Sequence, residues 1–94
     1  MARLDGVWRV ERVSGALPPF GVSKRIFGPS GWTLVGGLPA APFNVRIETD
    51  GATLDYVGLP VRDELTPRDD GDWDGRGLLA GREFCRFRLR REPV

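Results

Sequence analysis

Histidine is absent from this 94-residue chain, and cysteine, lysine, methionine and tyrosine each occur once. Without histidine, the chain lacks the usual proton shuttle near neutral pH, the base that activates many nucleophiles, and a common ligand of zinc and copper. Its single cysteine, Cys85, cannot form an internal disulfide. These absences argue against histidine-assisted catalysis and most transition-metal sites, and the sequence predicts neither a metal nor a cofactor.

An excess of one charge is also missing, because 14 basic and 13 acidic residues leave a net charge of +1. Bulk charge therefore gives no reason to expect a nucleic-acid partner. No segment approaches the length of a membrane span, and the first five residues lack the apolar run of a signal peptide. We expect no membrane partner and a cytoplasmic location.

Glycine and proline, in contrast, are frequent, at 13 and 8 residues, and they interrupt the chain at short intervals. This punctuation favours short strands joined by tight turns over helices, and no window carries an apolar stripe at helical spacing. The apolar fraction of 40% and the charged fraction of 29% are those of an ordinary globular protein. The sequence predicts a single all-β domain over residues 1–94.

The clearest pattern lies in the last strand, where apolar and charged residues alternate strictly. Cys85, Phe87 and Leu89 share one face, while arginines occupy the intervening positions. Such a period of two indicates an antiparallel strand with one buried and one solvated face. The first strand, in which Trp8 and Val10 point the same way, is the partner that we expect for it.

The whole chain reads as about eight short strands in simple succession. They are predicted at residues 6–13, 22–27, 32–35, 43–49, 52–56, 61–66, 75–79 and 84–91. Asp50-Gly51 is the strongest hairpin signal. Two stretches rich in proline and glycine, 14–21 and 36–42, are interpreted as loops. Because the first strand is expected to pair with the last, the pattern predicts a small antiparallel up-and-down (meander) barrel.

The opening of the first strand, Leu4-Asp5-Gly6-Val7-Trp8, resembles the Gly-x-Trp start of the lipocalin and calycin superfamily. The resemblance implies a lipocalin-like barrel with Trp8 closing one end. It also implies that a basic residue of the last strand packs across the indole, here Arg86 or Arg88, a contact that contributes about 0.5–2 kcal/mol. Trp8, Arg86 and Arg88 are therefore expected to be structural, and Trp8→Ala should cost about 3–5 kcal/mol.

A lipocalin-like barrel is expected to bind a small apolar or amphipathic molecule in its mouth. The residues expected to contact this ligand are aromatic, apolar or charged side chains predicted to face the interior: Trp32, Phe43, Val45, Leu54, Tyr56, Asp63 and Arg12. Each has a simpler interpretation as ordinary core. For Asp63, this alternative is an ion pair with Arg12 on the inner face.

Three further sites are weaker hypotheses. Residues 69–75, DDGDWDG, place carboxylates as a calcium loop does, but Gly81 stands where the bidentate glutamate belongs. Asp63, Glu64 and Glu83 could supply acid chemistry, although nothing fixes their separation, and we expect no enzyme. The arginines of the last strand could contact RNA, but acidic residues on neighbouring strands favour a paired outer face.

Two functions from different classes therefore remain open. The first is the small-molecule binder; the alternative is a protein-interaction module with a filled interior, acting through an exposed strand edge or the arginine face. An interior of about 300 Å³ or more would favour the binder. Phe20, Leu38 and Phe84 are expected in loops or on outer faces, where they could support a homodimer. Alternatively, both loops fold back and cover Phe20 and Leu38 within a monomer. In the first loop, Leu17 and Phe20 could form a lid over an open barrel end or pack into the core.

Overall fold

The computed structural model describes residues 4–16 and 21–92, and this part of the chain forms eight β-strands without a helix. The strands are β1 (Gly6–Gly15), β2 (Val22–Phe27), β3 (Ser30–Val35), β4 (Leu38–Glu48), β5 (Gly51–Tyr56), β6 (Val61–Pro67), β7 (Trp73–Leu79) and β8 (Arg82–Arg91). Within these ranges no helix is long and apolar enough to cross a membrane. Leu17 and Phe20 lie outside the described residues.

The strands follow one another as an antiparallel meander, and β1 pairs with β8 to close the barrel. Each strand is hydrogen-bonded to two neighbours, so the predicted closed barrel and its first-to-last pairing are confirmed. The end where β1, β3, β5 and β7 finish is called the upper end, and the opposite end the lower end. The central and lower interior is filled by apolar side chains, including Ile26, Phe43, Leu54 and Leu89.

Trp8 is completely buried near the lower end, and its indole Nε1 donates to the carbonyl oxygen of Leu4 at 2.7 Å. The arginine across the indole is Arg91, whose guanidinium carbon lies 4.2 Å from the ring centroid. Neither Arg86 nor Arg88 takes this position. Trp8 and Arg91 are direct partners in the β1–β8 register, whereas the other two arginines pair nearer the upper end.

Gly6 explains why glycine opens this motif. Its φ is +128°, a left-handed conformation that disfavours other residues, and a Cβ there would lie 2.7 Å from a terminal nitrogen of Arg91. Arg91 also donates to the carbonyl oxygen of Asp5 at 3.1 Å. Gly6, Trp8 and Arg91 therefore form one unit that closes the lower end.

The stretch 36–42, expected to be a loop, is mostly strand: β4 begins at Leu38 and pairs with β3 through Pro39 and Pro42. On its other side, the register with β5 ends at Phe43. Residues 38–41 therefore have a ladder partner on one side only, while the carbonyl oxygen of Pro42 accepts from the Val57 backbone N–H at 3.1 Å. Proline is tolerated in such an edge-like segment because its missing N–H need not join a second ladder.

Three register shifts interrupt the described strands, and each lies toward the upper end. They leave an extra residue in β1, β4 and β8: Val13, Ala40 and Phe84. A bulge bends its strand and redirects nearby side chains. The upper end therefore departs from the regular alternation that holds in the middle of the barrel.

Candidate functional site

A cluster of four polar side chains lies inside the barrel. The Lys24 ammonium is 2.7 Å from Thr33 Oγ1, 2.6 Å from the Tyr56 hydroxyl and 3.0 Å from Asp63 Oδ2. The Tyr56 hydroxyl donates to Asp63 Oδ2 at 2.8 Å. Lys24 is only 3% exposed and Asp63 only 4%, so this is a buried ion pair.

The alternation of β2, β3, β5 and β6 brings these side chains together. In β2, Val22, Lys24 and Ile26 are the buried positions, which places the lysine on the inner face. Lys24 and Thr33 are partners in the β2–β3 register. Tyr56 and Asp63 approach from β5 and β6 across the interior. The cluster therefore joins opposite parts of the barrel wall.

Electrostatics favour the charged lysine. Burial alone would lower the pKa of Lys24, but the charge of Asp63 and the hydrogen bonds with Tyr56 and Asp63 outweigh it and raise the pKa above its ordinary value. The ammonium also lies 5.3–5.6 Å from the centroids of the Phe43, Tyr56 and Phe87 rings. Burial raises the pKa of Tyr56, so its hydroxyl stays protonated.

The polar cluster forms one wall of a small internal cavity at the upper end. The volume is about 110 Å³. Its lining combines the four polar groups with apolar side chains from five strands. The lining residues are Val10, Val22, Lys24, Thr33, Val35, Tyr56, Val61, Asp63, Phe84, Cys85 and Phe87. Apolar walls with a few convergent polar groups are characteristic of small-molecule sites.

Phe84 stands at the edge of this cavity and is 36% exposed. Strict alternation places it on the outer face, opposite in direction to Cys85. Phe84 is exposed, as this expectation requires, but it also contributes to the cavity lining. The register passes from Gly77–Cys85 to Leu78–Glu83, so Phe84 is the extra residue of a bulge and its ring also lines the cavity. A Cβ on Gly77 would lie 2.9 Å from this ring, so glycine leaves room for it.

Cys85 is buried beside Phe84, with its thiol among the cavity residues. Burial raises the pKa of the Cys85 thiol above its ordinary value. The reactive thiolate is therefore disfavoured at neutral pH. This thiol acts as part of the apolar wall rather than as a nucleophile.

The side chains expected to contact a ligand separate into three groups. Tyr56 and Asp63 line the cavity. Phe43, Val45 and Leu54 belong to the packed core or lie against it. Trp32 is 46% exposed because the inner positions of β3 are Gly31, Thr33 and Val35. Arg12 is exposed.

The suggested pairing of Asp63 with Arg12 is wrong. Asp63 pairs with Lys24 across the interior, whereas the Arg12 side chain donates to the carbonyl oxygen of Gly15 at 2.7 Å on the surface. Lys24 and Thr33 are the functional residues that sequence reasoning missed. The signal was the alternation of Val22, Lys24 and Ile26, which places the chain's only lysine among inward-facing apolar residues.

Outside the barrel, basic and acidic side chains pair across strands and, for Arg86 and Glu83, within β8. Arg76 lies 2.7 Å from Glu64, Arg86 lies 3.0 Å from Glu83, and Arg90 lies 3.0 Å from Glu11. Glu64 and Glu83 therefore belong to the surface network, away from the buried Asp63. Arg86 and Arg88 belong to it as well, since Arg88 lies 3.6 Å from Asp74.

The aspartate-rich turn between β6 and β7 is organised by Arg68, which lies 3.2 Å from both Asp70 and Asp74. Asp70 accepts a hydrogen bond from the backbone N–H of Asp72, which lowers the pKa of Asp70. Within residues 4–16 and 21–92, no three or more Cys, Asp or Glu side chains are grouped so that they could hold a metal ion.

Comparison of the chain with protein-family models, curated proteins and solved structures found no match. The functional argument therefore depends on the barrel, its buried polar cluster and its cavity.

Proposed function

We propose that this protein is a lipocalin-like barrel that binds a small amphipathic molecule in the cavity at its upper end. The observation that carries the proposal is the buried Lys24–Asp63 pair beside an otherwise apolar cavity. Burying two charges costs several kcal/mol per ion before their attraction is counted. Well-packed apolar residues in place of a buried ion pair often give equal or greater stability. Stability alone therefore does not explain the pair, whereas polar groups at a cavity wall are typical of sites that orient a ligand.

The cavity limits the size of this ligand. Pockets for drug-sized molecules begin at about 300 Å³, and an engineered apolar cavity of about 150 Å³ binds benzene. At about 110 Å³, the upper cavity is smaller than the roughly 300 Å³ that would favour a binder of drug-sized molecules, and it suits a molecule no larger than benzene. A long acyl chain would not fit inside, so the proposed ligand is compact, with a short apolar body and one polar group.

The proposal is tested by measuring binding with the cavity filled. Val35 lines the cavity, and Val35→Phe should occupy much of its volume. Val57→Phe is the matched control, because Val57 is 54% exposed and does not contribute to the lining. Amide chemical shifts would be followed by NMR during titration with small alcohols, ketones and amides.

We expect the unmodified chain and Val57→Phe to show saturable shifts at cavity residues, and Val35→Phe to lose them. If no compound perturbs these residues in the unmodified chain, the proposal is wrong. If Val35→Phe binds as well as Val57→Phe, the cavity is not the site. A melting curve of each variant would confirm that both remain folded.

The alternative, a protein-interaction module, is favoured by a separate observation. Among the described residues, six of the nine exposed large apolar side chains lie toward the upper end: Val13, Leu38, Val57, Leu59, Leu79 and Phe84. Exposed apolar residues grouped in this way are typical of contact surfaces. We propose that this end also forms a two-fold homodimer.

The dimer is tested by sedimentation equilibrium at micromolar concentration. Leu38→Glu should weaken the association, because Leu38 is 72% exposed at the upper end. Ile47→Glu is the control, since Ile47 is similarly exposed, at 68%, in the β4–β5 hairpin of the lower end. A single species of 10.4 kDa, the mass of one chain, would show that the dimer does not form.

A further inference from the structure

The hydrogen atoms of the buried polar cluster can be assigned one by one. Lys24 has three N–H donors, and three acceptors lie within reach: Thr33 Oγ1, the Tyr56 hydroxyl oxygen and Asp63 Oδ2. The ammonium therefore has no remaining donor for a ligand.

The two hydroxyl hydrogens are assigned by the same reasoning. Tyr56 donates its single hydrogen to Asp63 Oδ2, because a carboxylate can only accept. The hydrogen between Thr33 and Tyr56, whose oxygens are 2.8 Å apart, must then come from Thr33. Four of the five polar hydrogens of the cluster are thus donated inside the cluster, and the remaining hydrogen of Lys24 belongs to the ammonium that forms the ion pair with Asp63 Oδ2 at 3.0 Å.

One hydrogen-bonding position remains. Both contacts of Asp63 use Oδ2, and among the described residues Oδ1 has no hydrogen-bond partner. Asp63 is 4% exposed and belongs to the cavity wall. A carboxylate can accept about four hydrogen bonds, so a donor that enters the cavity would add one at Oδ1.

We infer, on the basis of the proposed function, that the ligand is a neutral hydrogen-bond donor, such as a small alcohol, whose O–H donates to Asp63 Oδ1. An anionic ligand would place a second negative charge beside Asp63, and no hydrogen of the cluster is available to it. A cationic ligand would add net charge to the balanced Lys24–Asp63 pair in a buried site. The apolar walls from Val10, Val22 and Val35 then contact the body of the ligand.

Three probes of nearly equal size and shape separate these possibilities. 2-Butanol carries a donor, butanone carries only an acceptor, and propanoate is an anion. The full chain would be titrated with each probe by NMR, with dissociation constants taken from shifts of cavity residues. Because hydrogen bonds to charged groups are among the stronger ones, 2-butanol should bind at least about tenfold more tightly than butanone. Propanoate should bind weakest.

The outcomes distinguish the two proposals. Equal binding of 2-butanol and butanone would overturn the donor inference while leaving cavity binding intact, and tighter binding of propanoate would do the same. Absence of cavity shifts with all three probes would overturn both. In the double variant Lys24→Met/Asp63→Leu, the preference for 2-butanol should fall to about equality, whereas the surface variant Glu64→Gln should keep it.

Discussion

Replacing Lys24 by methionine would test the energetic role of the buried ion pair directly. Methionine is similarly long but cannot pair with Asp63, whose Oδ2 lies 3.0 Å from the lysine ammonium in a site only 4–5% exposed. Removing one partner of such a pair leaves an uncompensated buried charge, which typically costs about 3–5 kcal/mol. Two further hydrogen bonds from Lys24 are lost as well.

This loss is large compared with the total stability of a small domain, which is about 5–15 kcal/mol. Urea unfolding monitored by tryptophan fluorescence would measure it. With a denaturant slope of about 1–2 kcal/mol per molar, a loss of about 4 kcal/mol shifts the midpoint by about 2–4 M. If the total stability lies at the lower end of that range, Lys24→Met would be barely folded without denaturant.

Two further variants serve as controls for this result. Arg76→Met removes an exposed pair with Glu64 that is shorter, at 2.7 Å, yet it should cost far less than Lys24→Met because solvent screens it. The double variant Lys24→Met/Asp63→Leu removes both buried charges and should recover most of the lost stability. If Lys24→Met costs no more than Arg76→Met, or if the double variant recovers nothing, the reasoning about the buried pair is refuted.

Three other outcomes are expected. Gly6→Ala should destabilise the chain by more than about 1 kcal/mol, because alanine is strained at this positive φ and its Cβ crowds Arg91 over the indole. The control Gly21→Ala meets open space and should be nearly neutral. Equal melting temperatures of the two variants would contradict this prediction. The pKa values of Tyr56 and Lys24 are raised in the folded state above their ordinary values of 10.0 and 10.5. Each group therefore adds to the unfolding free energy at pH values below its ordinary pKa, and this contribution is lost as the pH rises through the folded pKa. Tyr56→Phe should accordingly make the unfolding free energy fall less steeply above about pH 10. Millimolar calcium should leave the melting temperature unchanged, and a rise removed by Asp72→Asn would show that the acidic turn binds calcium.

The fold was largely predictable because alternation alone assigns most faces. Cys85, Phe87 and Leu89 are buried as the period of two predicts, and so is Asp63 in β6. Such a pattern reports which face of a strand is apolar, and in a meander each strand pairs with the next. The closed barrel then follows from pairing the first strand with the last, which leaves neither strand with a free edge.

The site was less predictable because it depends on register and on pairing across the interior. Asp63 was expected inside, but its partner could not be chosen from the sequence, since both Arg12 and Lys24 were available cations. Tyr56 and Asp63 meet Lys24 only because β2, β5 and β6 curve around one narrow interior. The sequence pattern of a single strand does not indicate which side chains of other strands lie across the interior from it.

Bulges account for some of the other differences from the predicted alternation. Phe84 lines the cavity because β8 contains one residue more than β7 can pair, and a period of two applied across that point misses this contribution to the lining. The same kind of extra residue occurs at Val13 and Ala40. Bulges are common at the rims of barrels, where they re-aim side chains, so they concentrate where alternation is least reliable.

The two ends of the barrel consequently have different physical roles. At the lower end, Trp8 and Arg91 form a plug in which glycine leaves room for a guanidinium over the indole. At the upper end, the extra residue of β8 places Phe84 at the edge of a cavity whose wall carries the Lys24–Asp63 pair. Because the charged pair bridges strands across the interior, a ligand that donates to Asp63 Oδ1 would complete the hydrogen bonding of the same group that holds the wall together. Ligand binding and stability of the upper end should therefore be coupled, since any molecule that binds the folded state alone raises its stability.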